Sequence, residues 1–188
     1  DRERYLRQIP AAAILDNLIA AGRIPPLIAA LVGNPAQRSR ELELPCNAAF
    51  AEFIASELWP WLRRRYAVSA DRRQVALAGS SLGGLAAAFI ASRYPERFGL
   101  VLSQSGSFWW SPPKQSAQFD GSDKPGWLVR RLGELPYLGL RWYLDAGRFE
   151  SSEDGSGVFE SMRAMRDTLR AQGYDVDARE LDGGHDEA

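Results

Sequence analysis

Six residues, Gly79-Ser80-Ser81-Leu82-Gly83-Gly84, constrain this chain more than any others. An apolar run, Val75-Ala76-Leu77-Ala78, precedes them, and an alanine-rich run from Leu85 to Tyr94 follows. The first reads as a buried strand and the second as a helix. A Gly-x-Ser-x-Gly at a strand-to-helix junction makes a sharp turn that holds the serine hydroxyl clear of the backbone. Gly79 and Gly83 are expected to flank the serine because the turn is too tight for side chains there. Ser81 is then a candidate nucleophile, and a serine hydroxyl needs a base to take its proton. The chain has one histidine, His185, in Gly183-Gly184-His185-Asp186. The competing reading of such a turn is a phosphate-binding loop. It fits poorly, because no Gly-Lys-[Ser/Thr] follows.

Size and composition narrow the class further. At 188 residues the chain is expected to be one domain over 1–188. Its 45% hydrophobic content suffices for a sizeable core, and its 25% charged content is that of a globular protein. A formal net charge of −1 gives no global pull toward nucleic acid or a membrane, so neither is expected as a partner. No apolar run approaches the ~20 residues of a membrane span. The single cysteine, Cys46, excludes an intrachain disulfide and fits a reducing compartment. With no second histidine to activate it, Cys46 reads as buried packing.

Along the chain, helical and strand patterns alternate. Residues 6–22 read as a helix stopped by Gly22, and residues 27–32 as a short buried strand closed by Gly33-Asn34-Pro35. Asn47 is a plausible N-cap for a long helix over 48–66, with Phe50, Phe53, Ile54, Leu58 and Trp61 at helical spacing. Pro60 is expected to perturb it, having no N–H to give. Strands are expected over 74–78, 99–103, 141–145 and 176–181, and helices over 85–94, 126–133 and 157–172. Arg63-Arg64-Arg65 at a helix C-terminus reads as a complement to the helix dipole. Strands separated by helices imply an α/β fold, a mostly parallel sheet with helices on both faces. Ligands bind such sheets at the carboxyl ends of the strands. Ser81, the 103–111 loop, the 145–150 turn and His185 all follow strands and should share that edge.

The order serine, acid, histidine is the one this kind of site follows. His185 is the candidate general base. The acid should follow the strand at 141–145, which leaves Asp145 and Glu150. Glu150, on the loop three residues past Gly147, is favoured over Asp145, which lies within the strand end. Asp186 is expected to face solvent or bond local backbone. Acyl transfer also needs donors for an oxyanion. The backbone N–H of Leu82 is one candidate, and the second is expected from a loop near Arg2 and Glu3.

Longer stretches carry a family resemblance. They are Glu43-Leu44-Pro45-Cys46-Asn47-Ala48-Ala49-Phe50, Glu57-Leu58-Trp59-Pro60-Trp61, and Ala78 through Leu85. The match continues from Tyr94-Pro95-Glu96-Arg97-Phe98 to Ser103-Gln104-Ser105-Gly106-Ser107-Phe108-Trp109-Trp110. It ends with Ala146-Gly147-Arg148-Phe149-Glu150 and Asp182-Gly183-Gly184-His185-Asp186. In these the chain resembles the enterochelin (ferric enterobactin) esterases of the esterase D-like α/β-hydrolases. The resemblance implies an α/β-hydrolase fold and hydrolysis of the ester bonds of a catechol-bearing triserine trilactone, usually iron-loaded. It supports Glu150 as the acid. It also implies early strands before Asp1 and a helix after the Gly-Gly-His-Asp turn, so the domain is expected to be trimmed at both ends. Asp1-Arg2-Glu3 is similar to the end of an Asp-Gly-Glu loop, with Arg2 in place of glycine.

A ferric tris-catecholate is anionic and aromatic, which suits arginine and tryptophan. Arg40, Arg148, Trp109 and Trp110 are the candidate substrate-binding residues, one of the two tryptophans being expected in the core. No cofactor and no catalytic metal is expected, since the iron belongs to the substrate. The expected compartment is the cytoplasm, with the periplasm as the alternative. Two other functions stay open: a general carboxylesterase of the same fold acting on feruloyl or simple acyl esters, and a non-catalytic binding module on a hydrolase scaffold.

Overall fold

Among the described residues, four short segments form one parallel sheet: β1 (Ala76–Ser80), β2 (Leu100–Gln104), β3 (Arg141–Gly147) and β4 (Asp175–Leu181), hydrogen-bonded in that order. The computed structural model describes residues 5–6, 9–122, 124–153 and 157–185. Register aligns Leu77, Val101, Trp142 and Val176 across the sheet, then Gly79, Ser103, Leu144 and Ala178. Residues in register share a face, and on this face Val101, Ser103, Trp142 and Leu144 are buried. The row between them, Ala78, Leu102, Tyr143 and Asp177, is half-buried or exposed.

The chain divides after Leu42 into two compact units. The first holds α1 (Ala11–Ala20), within the expected 6–22, and all but the last residue of α2 (Gln37–Glu43). No apolar periodicity announces α2. It is a charged helix with a Gln37-to-Glu41 side-chain hydrogen bond of 3.0 Å one turn apart. Residues 27–32 do not form the expected strand. Their backbone is irregular, and Leu27, Ile28, Leu31 and Val32 are exposed. An apolar run becomes a strand only beside a partner, and no described strand pairs with this one.

The second unit contains the sheet. It opens with α3 (Ala48–Glu52), whose N-cap Asn47 accepts the Phe50 N–H at 3.0 Å. The helix runs on as a π-helical stretch, Phe53–Leu58, into α4 (Trp59–Arg65). Pro60 is the reason. In the wide turn the Trp59 N–H reaches the Ile54 carbonyl, and the next donor in that pattern would be the absent N–H of Pro60. The carbonyl it would serve, that of Ala55, accepts from the Arg97 guanidinium instead.

α5 (Leu82–Arg93) packs on β1 and β2, α7 (Val158–Ala171) packs on β3 and β4, and α6 (Trp127–Glu134) packs beside α7. Residues Gly84 to Ala91 are buried throughout, and the small ones let α5 lie close to its strands. On α7 the buried positions Phe159, Met162, Met165 and Leu169 recur at helical spacing. Arg72 ties the opposite end of the sheet. Its guanidinium donates to the carbonyls of Pro95 (2.7 Å), Leu138 (3.2 Å) and Gly139 (3.0 Å). All four strands therefore present their carboxyl ends along one edge, free to carry functional loops.

Candidate active site

Ser81 stands between β1 and α5 with φ 58° and ψ −124°, a backbone state that non-glycine residues rarely adopt. Its surroundings fix it there. The Ser81 N–H donates to the Gln104 carbonyl at 2.9 Å, and its own carbonyl accepts from Ser107 N–H (3.1 Å) and Gly84 N–H (3.0 Å). Strain of this kind survives where neighbours over-determine it. A Cβ on Gly79 would lie 2.4 Å from the Gly83 backbone, so that glycine is sterically required. Gly83 is different: a Cβ there would meet nothing within 4 Å. Only its main chain is pressed into the turn, which corrects the expectation that both flanks exclude side chains. The Leu82 N–H, at the first position of α5, has no intrahelical acceptor and sits at the positive end of the helix dipole.

β2 runs out into Gln104-Ser105-Gly106-Ser107, a loop shared between the elbow and β3. Ser107 is buried and places its Oγ 3.3 Å from the Ser81 Oγ. Ser105 has φ 46°. Its N–H donates to the Asp145 carbonyl (2.9 Å) and Asp145 Oδ1 (3.2 Å), and its hydroxyl donates to Glu150 Oε1 at 2.6 Å.

Glu150 ends a one-turn 3₁₀ segment, Arg148–Glu150, that folds back directly after β3. Its Oε1 also accepts the Gly147 N–H at 2.7 Å, and its Oε2 is hydrogen-bonded to His185 Nδ1. The Glu150 side chain is 2% exposed and that of His185 45%. Gly147 makes the meeting possible, since a Cβ there would lie 2.2 Å from the Gly183 carbonyl oxygen. That same carbonyl accepts the Phe149 N–H at 3.0 Å, seating the loop that carries His185 on the turn that carries Glu150. Among the described residues no hydrogen bond joins Ser81 to His185. The Ser81 hydroxyl is paired with Ser107.

Asp145, the other candidate acid, is 5% exposed at the end of β3 and makes no hydrogen bond to His185. Burial pushes its carboxyl above the usual range and the Glu150 charge adds to this, while hydrogen bonds from the Ser105 N–H and the Tyr143 hydroxyl oppose both. Arg148 is exposed and forms a 2.9 Å ion pair with Asp182 across the same two loops. Trp109 is 40% exposed. Trp110 is half-buried against the core, edge-on to Trp127 at 6.1 Å. Arg40 lies on α2 in the first unit, half-buried. The Arg2–Glu3 oxyanion loop and Asp186 lie outside the described residues. Cys46 is fully buried, and burial pushes its thiol up, the opposite of an activated nucleophile.

Sequence reasoning assigned no role to Ser105, Ser107 or the Gly147–Gly183 contact. The available signal was a run of small polar residues directly after a buried strand, at the edge where ligands bind. Among the described residues no group of three or more His, Cys, Asp or Glu is arranged to hold a metal, and no helix is long and apolar enough to cross a membrane.

The family profile described as "Putative esterase" matches residues 3–188. The iron(III) enterobactin esterase of Dickeya dadantii (strain 3937) is 35% identical over 190 residues, covering 99% of this chain and 42% of that protein. That of Escherichia coli (strain K12) is 34% identical over 188 residues, 99% of this chain and 44% of the other. The crystal structure of the enterochelin esterase from Shigella flexneri superposes with a TM-score of 0.85 at 33% identity, covering 99% of this chain and 45% of that one. The enterobactin esterase of the same organism, crystallised in the presence of enterobactin, gives 0.83 at 33% identity, again with 99% and 45% covered. The chain thus spans less than half the length of these relatives. A ferulic acid esterase, 19% identical with a TM-score of 0.70, shares the fold.

Proposed function

The chain belongs to the esterase family whose profile covers residues 3–188, and from that premise we propose that it is the catalytic part of a serine esterase acting on a catecholate siderophore lactone. The observation that carries the reading is the Glu150–His185 pair, held at the strand-end edge that also carries the strained Ser81 elbow. The single domain expected over 1–188 belongs to this reading, as does a cytoplasmic compartment, where the free Cys46 thiol stays reduced.

The chemistry follows from the groups present. As substrate enters, the Ser81 hydroxyl turns from Ser107 to the His185 imidazole. Ser81 Oγ attacks the lactone carbonyl carbon while its proton passes to His185 Nε2. Glu150 Oε2 accepts the Nδ1–H, fixes the tautomer and stabilises the imidazolium. The carbonyl π electrons move onto oxygen, and the Leu82 N–H receives that charge. Collapse breaks the bond to the leaving alkoxide, which takes the proton back from Nε2, and the acyl group remains on Ser81. Water repeats the sequence, releasing the carboxylic acid and restoring the serine.

Two lines support the substrate class. Relatives at 34–35% identity bear the name iron(III) enterobactin esterase. An anionic, ring-rich substrate also suits the exposed guanidinium of Arg148 and the exposed ring of Trp109, with Trp110 beside it in the proposed set. Iron arrives as cargo of the substrate.

Mass spectrometry of products from iron-loaded and iron-free enterobactin tests the reading. Stepwise appearance of linear trimer, dimer and monomer is expected. Ser81→Ala should cut turnover by about 10⁴- to 10⁶-fold. A kcat/KM on 4-nitrophenyl acetate equal to or above that on the trilactone would replace the siderophore with simple acyl esters. Unchanged hydrolysis by the Ser81→Ala protein would overturn the serine mechanism.

A further inference from the structure

We propose that Ser105 is the positioning residue for the acid: its hydroxyl clamps Glu150 Oε1, so that Oε2 alone is presented to His185. The inference rests on the esterase reading for its kinetic consequence and on the loop geometry for its existence. Ser105 occupies a left-handed backbone state, φ 46°, that glycine would adopt at no steric cost. What serine adds over glycine at this position is a hydroxyl, and that hydroxyl bonds Glu150 at 2.6 Å. A donor on a carboxylate at this distance is a strong, charge-assisted contact.

The rest of the cluster divides the labour. Glu150 is a long side chain on a three-residue turn, and its torsions need fixing if an exposed imidazole is to be aimed by it. Oε1 receives two donors from two strand ends, Ser105 Oγ just after β2 and Gly147 N–H at the last residue of β3. Two donors arriving from different directions fix the plane of the carboxylate and leave Oε2 as the oxygen facing His185. Ser105 is in turn held by its own N–H, shared between the Asp145 carbonyl and carboxylate. Asp145 thereby acts three contacts from the histidine: it sets the Ser105 backbone, Ser105 sets Glu150, and Glu150 sets His185. The acid not used for catalysis has a place in the same assembly.

Ser105→Gly is the clean test, because it keeps the left-handed backbone and the N–H and deletes the side chain that carries the hydroxyl. With the whole 188-residue chain, the melting temperature should move by only a few degrees, relief of the left-handed backbone offsetting the lost hydrogen bond. Turnover of enterobactin should drop about tenfold in kcat at unchanged KM. In a Glu150→Gln background the same substitution should cost nothing further. His185 is the only histidine, so ring ¹⁵N NMR gives an unambiguous Nδ1 signal, and Ser105→Gly should shift it. An unmoved Nδ1 signal, an unchanged kcat, or an equal loss in the Glu150→Gln background overturns the assignment. The NMR arm needs no substrate. A shifted signal in a protein that hydrolyses nothing would sink the esterase reading and keep the Ser105 contact.

Discussion

At the turn after β1 the tight glycine contact lies within the strand-to-helix junction, whereas at the turn after β3 it reaches a loop far away in the chain. Both depend on a glycine into which no Cβ fits. At the elbow, Gly79 at the end of β1 is pressed against Gly83 in the first turn of α5. At the acid turn, Gly147 is pressed against Gly183, and Glu150 is held by Ser105 from the β2 loop. The elbow's strain is supported by a buried helix packed behind it, while the acid turn is seated on half-exposed loop backbone. The candidate nucleophile leans on its own junction and on one other loop, through Gln104 and Ser107. A remotely closed turn makes an acid whose place depends on the whole sheet edge being assembled.

The largest effect that sharpens this contrast is at the acid itself. Glu150→Gln keeps the volume and keeps Oε1 able to accept from Ser105 and Gly147, but leaves an uncharged group against His185 Nδ1. Kcat on an ester substrate should fall by about 10³- to 10⁴-fold with stability nearly unchanged. A loss under tenfold would mean that Ser81 and His185 act as a dyad, and that the acid turn matters less than its geometry implies.

The two glycines come next, because the same change should read out differently. Gly79→Ala forces a Cβ to 2.4 Å from the Gly83 backbone under a packed helix, and should cost about 1–3 kcal/mol of stability together with activity. Gly147→Ala meets the Gly183 carbonyl at 2.2 Å, in a loop with room to move away. It should take His185 off Glu150 and lower kcat by about 10²-fold, with a smaller loss of melting temperature. Equal thermal destabilisation by both substitutions would erase the distinction between the turns.

This difference explains what the sequence disclosed. The elbow was legible because sterics at one short turn demand particular residue types at fixed spacing, and Gly79-Ser80-Ser81 supplies them. β1 to β3 were legible within about two residues as apolar runs, and β4 from the alternation of Val176 to Leu181. Asp145 and Glu150 stayed alternatives from residue type and spacing alone, because the contacts that bring Glu150 to His185 run through Ser105 and Gly183, and neither is near in sequence. Residues 27–32 failed for the same reason in reverse, since their composition suits a strand but pairing is supplied by a neighbour. The Ser105 and Ser107 hydroxyls were unreadable because serine in a loop is common, and only the fold shows which hydroxyl faces what.

The smallest predicted effect belongs to Asp145 and decides whether the structure has divided the two acids correctly. Asp145→Asn retains an Oδ1 that accepts the Ser105 N–H, so the clamp on Glu150 survives and kcat should stay within about threefold of the parent. Stability should respond with a definite sign. Burial raises the folded-state pKa of Asp145 above the ~3.9 of an unfolded aspartate. The folded protein therefore binds that proton more tightly than the unfolded chain does. This contribution to stability is present below about pH 3.9 and is lost as pH rises through the folded value. At neutral pH the buried charge is a cost, with Glu150 beside it and the Tyr143 hydroxyl and Ser105 N–H in partial compensation. Asp145→Asn should accordingly melt at or above the parent at pH 7, and the advantage should vanish on acidification toward pH 4. Thermal melts across that range, run beside kcat at pH 7, read both. If Asp145→Asn instead loses activity on the scale expected of Glu150→Gln, the catalytic acid is the one inside the strand, and the turn after β3 serves only to hold the histidine loop.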